Sequence, residues 1–360
     1  MTNDWMIYGA NGYTGKLIAE HAKARGHNPV IAGRNQRKIE QLAIDLQLDY
    51  MVFDLSDVNI IAEAIADMSL VLLAAGPYMH TSDPVVKACL ATHTHYLDIT
   101  GEIDVFERIF SYDDVARKNR IALIPGVGFD VVPTDCLAKY VADQLPSATH
   151  LDIGIASLSG VSAGTTKTAI EGASTGGKVR RNGMLQPHPI GTDTKQLRFM
   201  HGYYDALAIP WGDLATAYHT TRIPNITTYM TLPPSAIKMA GRGSRIMQVM
   251  MQNRMIKSIA KGLAGTFVKG PNATQRKTAR SYAYAKASNS SRSVEAWLDT
   301  IEAYQFTAEA SVLAVEQTLE RQLAGALTPA LAFGKDFVLD INSTRRLDTL
   351  DVGDWESLVE

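Results

Sequence analysis

Four side chains that could transfer a proton follow successive apolar runs of the sequence. Tyr78 follows one run, Asp98 and Glu102 lie at and after the next, and Asp130 follows a third. A phenol or carboxyl group there suits acid–base catalysis, in which it exchanges a proton while a cofactor carries a hydride. The carboxylates also have structural alternatives. Asp98 and Glu102 could cap the helix that begins near Ile103, and Asp130 could order the turn before a helix.

A glycine-rich turn joins the first apolar run to the first helical pattern. Its glycines are Gly9, Gly12 and Gly15, in the spacing GxxGxxG. Gly9 permits a tight turn, Gly12 lets the backbone approach a pyrophosphate, and Gly15 allows close packing of helix on strand. Since amides at a helix start hold phosphates, we predict a dinucleotide site; the alternative is a structural turn without ligand. The other predicted members of this turn are Asn11, Tyr13 and Thr14.

The end of the second apolar run indicates which dinucleotide binds. A free ribose 2′-hydroxyl would be met there by Asp or Glu, whereas this chain has Arg34 and Asn35, followed by Arg37 and Lys38. A guanidinium can stack on adenine and bond a 2′-phosphate, so the sequence favours NADP(H) over NAD(H). The alternative is a solvated helix start with ordinary surface charges.

Two further segments complete the predicted cofactor site. Asp54 ends the third run, where it either accepts a hydrogen bond from the adenine amino group or caps the next helix with Ser56 and Asp57. Small residues after the fourth run would let the ribose and nicotinamide half of the cofactor cross the sheet edge. These residues are Ala75, Gly76 and Pro77.

The elements that must position these groups follow from the apolar pattern. Between residues 5 and 125, six short apolar runs alternate with stretches of three- and four-residue apolar spacing. This alternation predicts an α/β fold with a parallel, doubly wound sheet of the Rossmann type. The predicted strands are Trp5–Tyr8, Pro29–Ala32, Tyr50–Phe53, Leu70–Ala74, Tyr96–Ile99 and Ile121–Ile124.

The pattern changes after residue 134 to longer runs of strand character. We therefore predict a Rossmann domain over residues 1–134 and a second, α+β domain over 135–360, for substrate binding and dimerisation. The C-terminal segment is expected to pack back on the first domain. The predicted strands are Thr149–Ser157, Leu197–Tyr203, Thr227–Leu232 and Thr278–Ala287, and the predicted helices are Thr134–Gln144, Ser235–Ala264 and Ala308–Ala324.

The net charge of -2 hides an uneven distribution. The 81 residues from Leu214 to Val294 contain no Asp or Glu and 13 Lys or Arg, whereas the other 279 residues carry 22 basic and 37 acidic side chains. Within this segment, residues 235–264 combine methionines with cations, which suits an acyl chain, an acidic carrier or an anionic membrane surface. The alternative is an ordinary helix with a solvated basic face. The overall balance argues against a nucleic-acid partner.

Composition and motifs point away from other chemistries. The sequence has no HExxH or paired CxxC motif, so no metal site is expected. Cys89 and Cys136 are expected to be buried core residues. Few cysteines, no long apolar span and no basic leader predict a cytoplasmic protein, which could still rest on a membrane surface.

One motif match is set aside. Tyr282 and Lys286 fit the YxxxK pair of short-chain dehydrogenases, which needs a helix to bring both groups together. The alternation of large and small residues around them predicts a strand instead.

Taken together, the motifs resemble those of the saccharopine dehydrogenase-like oxidoreductases, and most closely the branch named trans-acting enoyl reductases. The segments that carry the resemblance are Gly9–Gly15 (GANGYTG), Ala32–Asn35 (AGRN), Ala74–Tyr78 (AAGPY), Tyr96–Glu102 (YLDITGE), Pro125–Asp135 (PGVGFDVVPTD), Thr328–Pro329 and Phe333–Leu339 (FGKDFVL). The resemblance implies a Rossmann domain, a mixed-sheet second domain that often pairs subunits into a homodimer, and NADP(H).

Three functions are consistent with these observations. The first is an NADP(H)-dependent oxidoreductase that reduces a polarised C=C bond of an acyl or lipid-like substrate, with Tyr78 or a nearby carboxylic acid as the proton donor. The second is an amine- or imine-forming dehydrogenase of the saccharopine type, and the third is a non-catalytic NADP sensor. Saccharopine carboxylates would need Arg or Lys near the nicotinamide. The candidate region is instead acidic, with Asp98, Glu102, Asp130 and Asp135.

Overall fold

The structure, a computed structural model, describes residues 4–157, 176–238 and 271–350. The chain divides into two compact units. The first comprises Met1–Val132 and Tyr304–Phe337, and the second comprises Pro133–Ala303 and Val338–Glu360. The first unit therefore includes a stretch that follows most of the second unit in sequence.

The first 124 residues alternate strands and helices, as the apolar pattern predicts. In chain order the elements are β1 (Trp5–Tyr8), α1 (Tyr13–Ala24), β2 (Val30–Gly33), α2 (Gln36–Leu46), β3 (Tyr50–Val52), α3 (Val58–Ile65), β4 (Leu70–Leu73), α4 (Tyr78–Thr92), β5 (His95–Asp98), α5 (Ile103–Phe110), α6 (Asp113–Asn119) and β6 (Ala122–Ile124).

The middle of the chain is richer in strands. It contains α7 (Val132–Gln144), β7 (His150–Ser157), β8 (Lys178–Arg181), β9 (Met184–Pro187), β10 (Thr194–Phe199), β11 (Gly202–Ala208), α8 (Asp213–Thr221), β12 (Asn225–Thr231), α9 (Ala273–Thr278), β13 (Arg280–Ser288) and β14 (Ser293–Ile301). The remaining elements are α10 (Ala303–Glu320), β15 (Gly325–Ala326), α11 (Pro329–Phe333), a 3₁₀ turn (Phe337–Asp340) and β16 (Arg345–Leu347).

The first unit is built on a parallel sheet. Its strand order is β3-β2-β1-β4-β5-β6-β15, and all neighbouring strands are parallel. Because β1, β4 and β6 are buried along their whole length, the sheet is covered on both faces, which confirms the Rossmann-type prediction. The two-residue β15 was not predicted, since it is too short to show a periodic pattern. The order reverses between β1 and β4, where doubly wound sheets bind their ligands.

The second unit contains a mixed sheet. Its main path runs β10-β11-β12-β7-β13-β14-β16, with β8 and β9 beside β12. The α+β prediction is confirmed, but Leu197–Tyr203 is not one strand. The chain turns after Phe199, which pairs with Gly202 in an antiparallel hairpin, and the apolar run continues through the turn. The indole N–H of Trp297 on β14 donates to the Arg198 carbonyl at 2.8 Å, so this hairpin folds over the sheet.

The second unit contains several residues for which the sequence made predictions. Tyr282 and Lys286 lie on β13, which confirms that the YxxxK match is not helical. The Asp135 carboxylate accepts a hydrogen bond from Thr220 Oγ1 at 2.5 Å and is fully buried. Cys136 is buried, as is Cys89 in the first unit, which confirms their placement in the core. Residues 239–270 lie outside the described residues, so the hypotheses about 235–264 stay predictions, as does the homodimer.

Candidate functional site

The glycine turn connects β1 to α1 with very little space around its backbone. Gly9 has φ +89°, and a Cβ built on it would lie 2.8 Å from the carbonyl carbon of Ala74. A Cβ on Gly15 would lie 2.3 Å from the Gly9 carbonyl oxygen. The side chain of Asn11 occupies the space beside Gly33, where a Cβ would approach Asn11 Oδ1 to 2.7 Å. The turn is therefore fixed against the ends of β2 and β4.

The start of α1 is open to an anionic ligand. Gly12 is exposed, contributes no side-chain cap, and would bring an added Cβ near only the Gly9 carbonyl oxygen, at 3.2 Å. Among the described residues, the Thr14 hydroxyl makes no hydrogen bond. First-turn amides lack partners within a helix, so this backbone fits the pyrophosphate of a dinucleotide. Tyr13, the first residue of α1, packs edge-on against Tyr304 with ring centroids 5.0 Å apart.

The ends of β2 and β3 carry the residues predicted for the adenosine half. Arg34 is exposed and, within the described part of the chain, forms no ion pair. The Asn35 side chain caps α2 by accepting from the Lys38 amide at 3.1 Å, so its oxygen has a structural role. Asp54 accepts from the Ser56 amide at 2.8 Å. The cap of α3 is Asp57, which the capping alternative included, whereas the Asp54 carboxylate bonds the Ser56 amide ahead of the helix.

Tyr8 adds an unpredicted polar group to this region. Its hydroxyl donates to the Phe53 carbonyl at 2.8 Å. Burial and the charge of Asp54 raise the pKa of Tyr8 to about 12, against the lowering effect of Arg34. Asp54 and Arg34 therefore both lie close enough to the Tyr8 hydroxyl to shift its pKa, so the ends of β2 and β3 meet at this hydroxyl. This contact could not be predicted from the sequence, because Tyr8 ends an apolar run and resembles the other residues of that strand.

The segment after β4 leads into α4. The Ala75 carbonyl accepts from Thr81 Oγ1 at 2.7 Å, Gly76 is exposed, and Pro77 precedes the first residue of the helix. A Cβ on Gly76 would lie 3.3 Å from the Tyr78 ring. The small residues therefore leave room beside this ring, which is where the prediction places the nicotinamide half of the cofactor.

Glu102 caps a different helix from the one predicted. Its carboxylate accepts from the amides of Tyr78 at 2.8 Å and Met79 at 2.9 Å, at the start of α4. Only its backbone begins α5, which has no side-chain cap. Since β4 and β5 are neighbours, the loops after them meet, and a carboxylate from one loop reaches the helix that follows the other. The carboxylate is thus committed to α4.

Asp98 is also committed to structure. Its side chain is fully buried and accepts from Tyr96 Oη at 2.7 Å and from the amides of Thr100 at 2.9 Å and Gly126 at 2.8 Å. These bonds join the loops after β5 and β6 and do not cap α5. Burial raises the pKa of Asp98 to about 6, although the three hydrogen bonds lower it. A role for Asp98 in catalysis stays a prediction.

The four predicted catalytic residues form one cluster. The Tyr78 side chain is 7% exposed, and burial together with the charges of Asp98, Glu102 and Asp130 raises its pKa well above 10. Asp130 remains partly exposed, and desolvation raises its pKa to about 6. A Cβ on Gly101 would lie 3.1 Å from Asp130 Oδ2, so this carboxylate rests against the turn after β5. The cluster joins a phenol that stays protonated with two carboxyls, Asp98 and Asp130, whose pKa is about 6.

Two further kinds of feature are absent from the described residues. Within 4–157, 176–238 and 271–350 no group of three or more His, Cys, Asp or Glu side chains is arranged to hold a metal ion. No helix in these ranges is long and apolar enough to cross a membrane.

Comparison with known proteins identifies the first part of the chain. Residues 5–124 match the family model of the saccharopine dehydrogenase NADP binding domain. This segment is therefore similar to the NADP-binding domain of that family. The match confirms the resemblance stated above and NADP(H) as the cofactor.

Two curated relatives each match a little over half of the chain. A mouse protein named saccharopine dehydrogenase-like oxidoreductase is 28% identical over 222 residues, 53% of this chain and 52% of the relative. A trans-acting enoyl reductase of Mycobacterium tuberculosis is 29% identical over 231 residues, 59% of this chain and 55% of the relative. The chain thus spans about half the length of the curated relatives it matches.

A solved structure extends the likeness beyond the NADP-binding domain. Apo saccharopine dehydrogenase (L-Glu forming) from Saccharomyces cerevisiae matches with a TM-score of 0.64 over 94% of this chain and 96% of that one, at 11% identity. At this identity the match shows the fold alone.

Proposed function

We propose that the protein is an NADP(H)-dependent oxidoreductase that reduces a polarised C=C bond. One observation carries the proposal: the first unit holds an open glycine turn after β1 and, after β4, β5 and β6, a cluster of one phenol and three carboxylates. Both lie at the carboxyl edge of one parallel sheet, where cofactor and substrate meet in doubly wound folds.

Different residues would bind the pyrophosphate and the adenosine 2′-phosphate of the cofactor. The backbone at Gly12 and the start of α1 would bind the pyrophosphate, with the Thr14 hydroxyl beside it. Arg34 would meet the 2′-phosphate, aided by Arg37 and Lys38, which are also exposed. When bound, NADPH supplies the hydride. Asp54 would accept from the adenine amino group, next to the hydroxyl of Tyr8.

Asp130 is our proposed proton donor. Asp130 is partly exposed, and its pKa of about 6 leaves it partly protonated near neutral pH. The carboxylates of Asp98 and Glu102 accept hydrogen bonds from backbone amides. Tyr78 is a poor proton donor, because its anion would form beside three carboxylates. Its neutral phenol would instead donate a hydrogen bond to the substrate oxygen that polarises the C=C bond.

The reaction then balances with one hydride and one proton. The hydride adds to the β-carbon, and the electron pair of the C=C bond takes the Asp130 proton at the α-carbon. The polarising oxygen gathers negative charge in between, and the Tyr78 hydroxyl stabilises it. The substrate class is an acyl or lipid-like enoyl compound, in line with the relative named trans-acting enoyl reductase.

The test follows NADPH absorbance with purified protein and a panel of enoyl thioesters, enals, and keto acids paired with amino acids. We expect turnover with an enoyl compound, and no turnover of that compound by the Asp130→Asn variant at comparable NADPH affinity. Turnover only with an amine plus a keto acid would replace this proposal by a saccharopine-type reaction. NADPH binding without turnover of any compound would replace it by a sensor.

A further inference from the structure

Asp130 lies in a loop that α10 holds from one side. The loop follows β6, and its Phe129 amide donates to Thr307 Oγ1 at 3.0 Å. The two residues are 178 positions apart in sequence, and both belong to the first unit. The Thr307 side chain is 7% exposed, so the bond is shielded from water. It fixes the residue immediately before Asp130.

The packing around this hydrogen bond leaves little room for the loop to move. A Cβ on Gly128 would lie 2.9 Å from the Thr307 methyl carbon, so the loop backbone lies directly on this side chain. The Phe129 ring packs edge-on against Phe306, with centroids 5.6 Å apart. One turn further along α10, Ser311 Oγ donates to the Val127 carbonyl at 3.4 Å.

The opposite side of Asp130 is bounded by the turn after β5. The Cα of Gly101 faces Asp130 Oδ2, where an added Cβ would lie at 3.1 Å. The Asp130 carboxylate thus has a glycine on one side, while its backbone is tied to a buried threonine through Phe129. A shift of the backbone would move the carboxyl group relative to the substrate, and misplacement by about 1 Å can cost about 100-fold in rate.

We propose that Thr307 is a positioning residue for the proton donor: its hydroxyl and methyl groups fix the 128–130 loop so that the Asp130 carboxyl reaches the reacting carbon. This rests on the function proposed above. The sequence could not indicate it, because the YQFTAE segment shows only an ordinary helical pattern. Thr307 touches the loop and is assigned no contact with substrate or cofactor.

The test compares three variants. Thr307→Val keeps the shape and removes the acceptor, and Thr307→Ser keeps the acceptor. Thr318→Val is the matched control, because Thr318 is fully buried on the same helix and its hydroxyl donates to the Ala314 carbonyl of that helix at 2.7 Å. We expect Thr307→Val to lower kcat about tenfold and to move the pH profile attributed to Asp130, with KM for NADPH within about twofold. Thr307→Ser should restore the profile.

Hydrogen exchange of the peptide that contains Phe129 gives a second readout, independent of turnover. We expect faster exchange in Thr307→Val than in either the native protein or Thr318→Val. If Thr307→Val matches Thr318→Val in both exchange and pH profile, the inference is wrong, and the proposed function stands. If Asp130→Asn keeps the native pH profile, the role of Asp130 fails and the inference fails with it, whatever the exchange shows.

Discussion

The clearest consequence of the site is a pH dependence of the reduction rate. A proton donor must carry its proton, and burial raises the pKa of Asp130 from 3.8 to about 6. The protonated fraction is then about nine-tenths at pH 5, about one-tenth at pH 7 and about one-hundredth at pH 8. We therefore expect kcat for reduction to fall roughly 90-fold between pH 5 and pH 8, with a slope of about one decade per pH unit above pH 6.

The assay is the initial rate of NADPH oxidation at saturating substrate, corrected at each pH for loss of NADPH without enzyme. Asp98 is the necessary comparison, because burial raises its pKa to about 6 as well. Asparagine can replace Asp98 and still accept from the amides of Thr100 and Gly126, so Asp98→Asn should keep the descending limb. Asp130→Asn should give a low rate that does not depend on pH over this range.

Two results would refute this reasoning. A descending limb that survives in Asp130→Asn would show that another group donates the proton. A limb that disappears in Asp98→Asn and stays in Asp130→Asn would move the role to Asp98, in spite of its three structural hydrogen bonds.

Three more predictions follow from the described contacts. Gly15→Ala would place a Cβ within 2.3 Å of the Gly9 carbonyl oxygen. Urea denaturation should therefore show a loss of about 1–3 kcal/mol in the free energy of unfolding, and a titration should show loss of NADPH binding. Unchanged binding would contradict the close packing of the turn. Arg34→Ala should weaken NADPH binding by about 10-fold to 100-fold and leave NADH binding within about twofold, and equal losses in fluorescence titrations would show that Arg34 does not meet the 2′-phosphate. Burial opposes ionisation of Glu316, but hydrogen bonds from Arg25 and His27 hold its pKa below the usual value. The ionised carboxylate therefore adds to the free energy of unfolding above about pH 4.5, and this stabilisation is lost as the pH falls through the lowered pKa. Glu316→Gln should therefore cost about 0.5–1 kcal/mol of unfolding free energy at pH 7 and progressively less as the pH falls below about 4.5, and a cost that does not change with pH would exclude the ion pair.

The sequence predicted the first unit well because its signals are local. Strands such as Trp5–Tyr8 are short apolar runs that end in small or polar residues, and the glycine turn lies between a strand and a helix as the motif requires. The apolar pattern did not predict the turn between β10 and β11, because apolar residues continue through it at Met200. It also failed for β15, whose two residues pair with β6 only through the tertiary structure.

The sequence also named the residues of the cluster without their individual roles. Glu102 precedes α5 in sequence, so capping of α5 was the obvious alternative, yet its carboxylate reaches α4 because parallel strands bring their following loops together. Asp98 likewise bonds the amide of Gly126, which follows β6. Such contacts depend on strand order, which local sequence does not encode.

The helix α10 contacts both the cofactor turn and the Asp130 loop, although it follows most of the second unit in sequence. The first unit is interrupted after Val132 and resumes at Tyr304, within the first turn of α10. Tyr304 packs on Tyr13 at the phosphate end, and Thr307, almost one turn later, accepts from the Phe129 amide beside the proposed proton donor. An element that contacts two loops at the carboxyl edge of a sheet limits how far those loops can move apart. The spacing of the cofactor turn and the Asp130 loop is therefore set by a helix that joins the first unit only after the second has intervened in the chain.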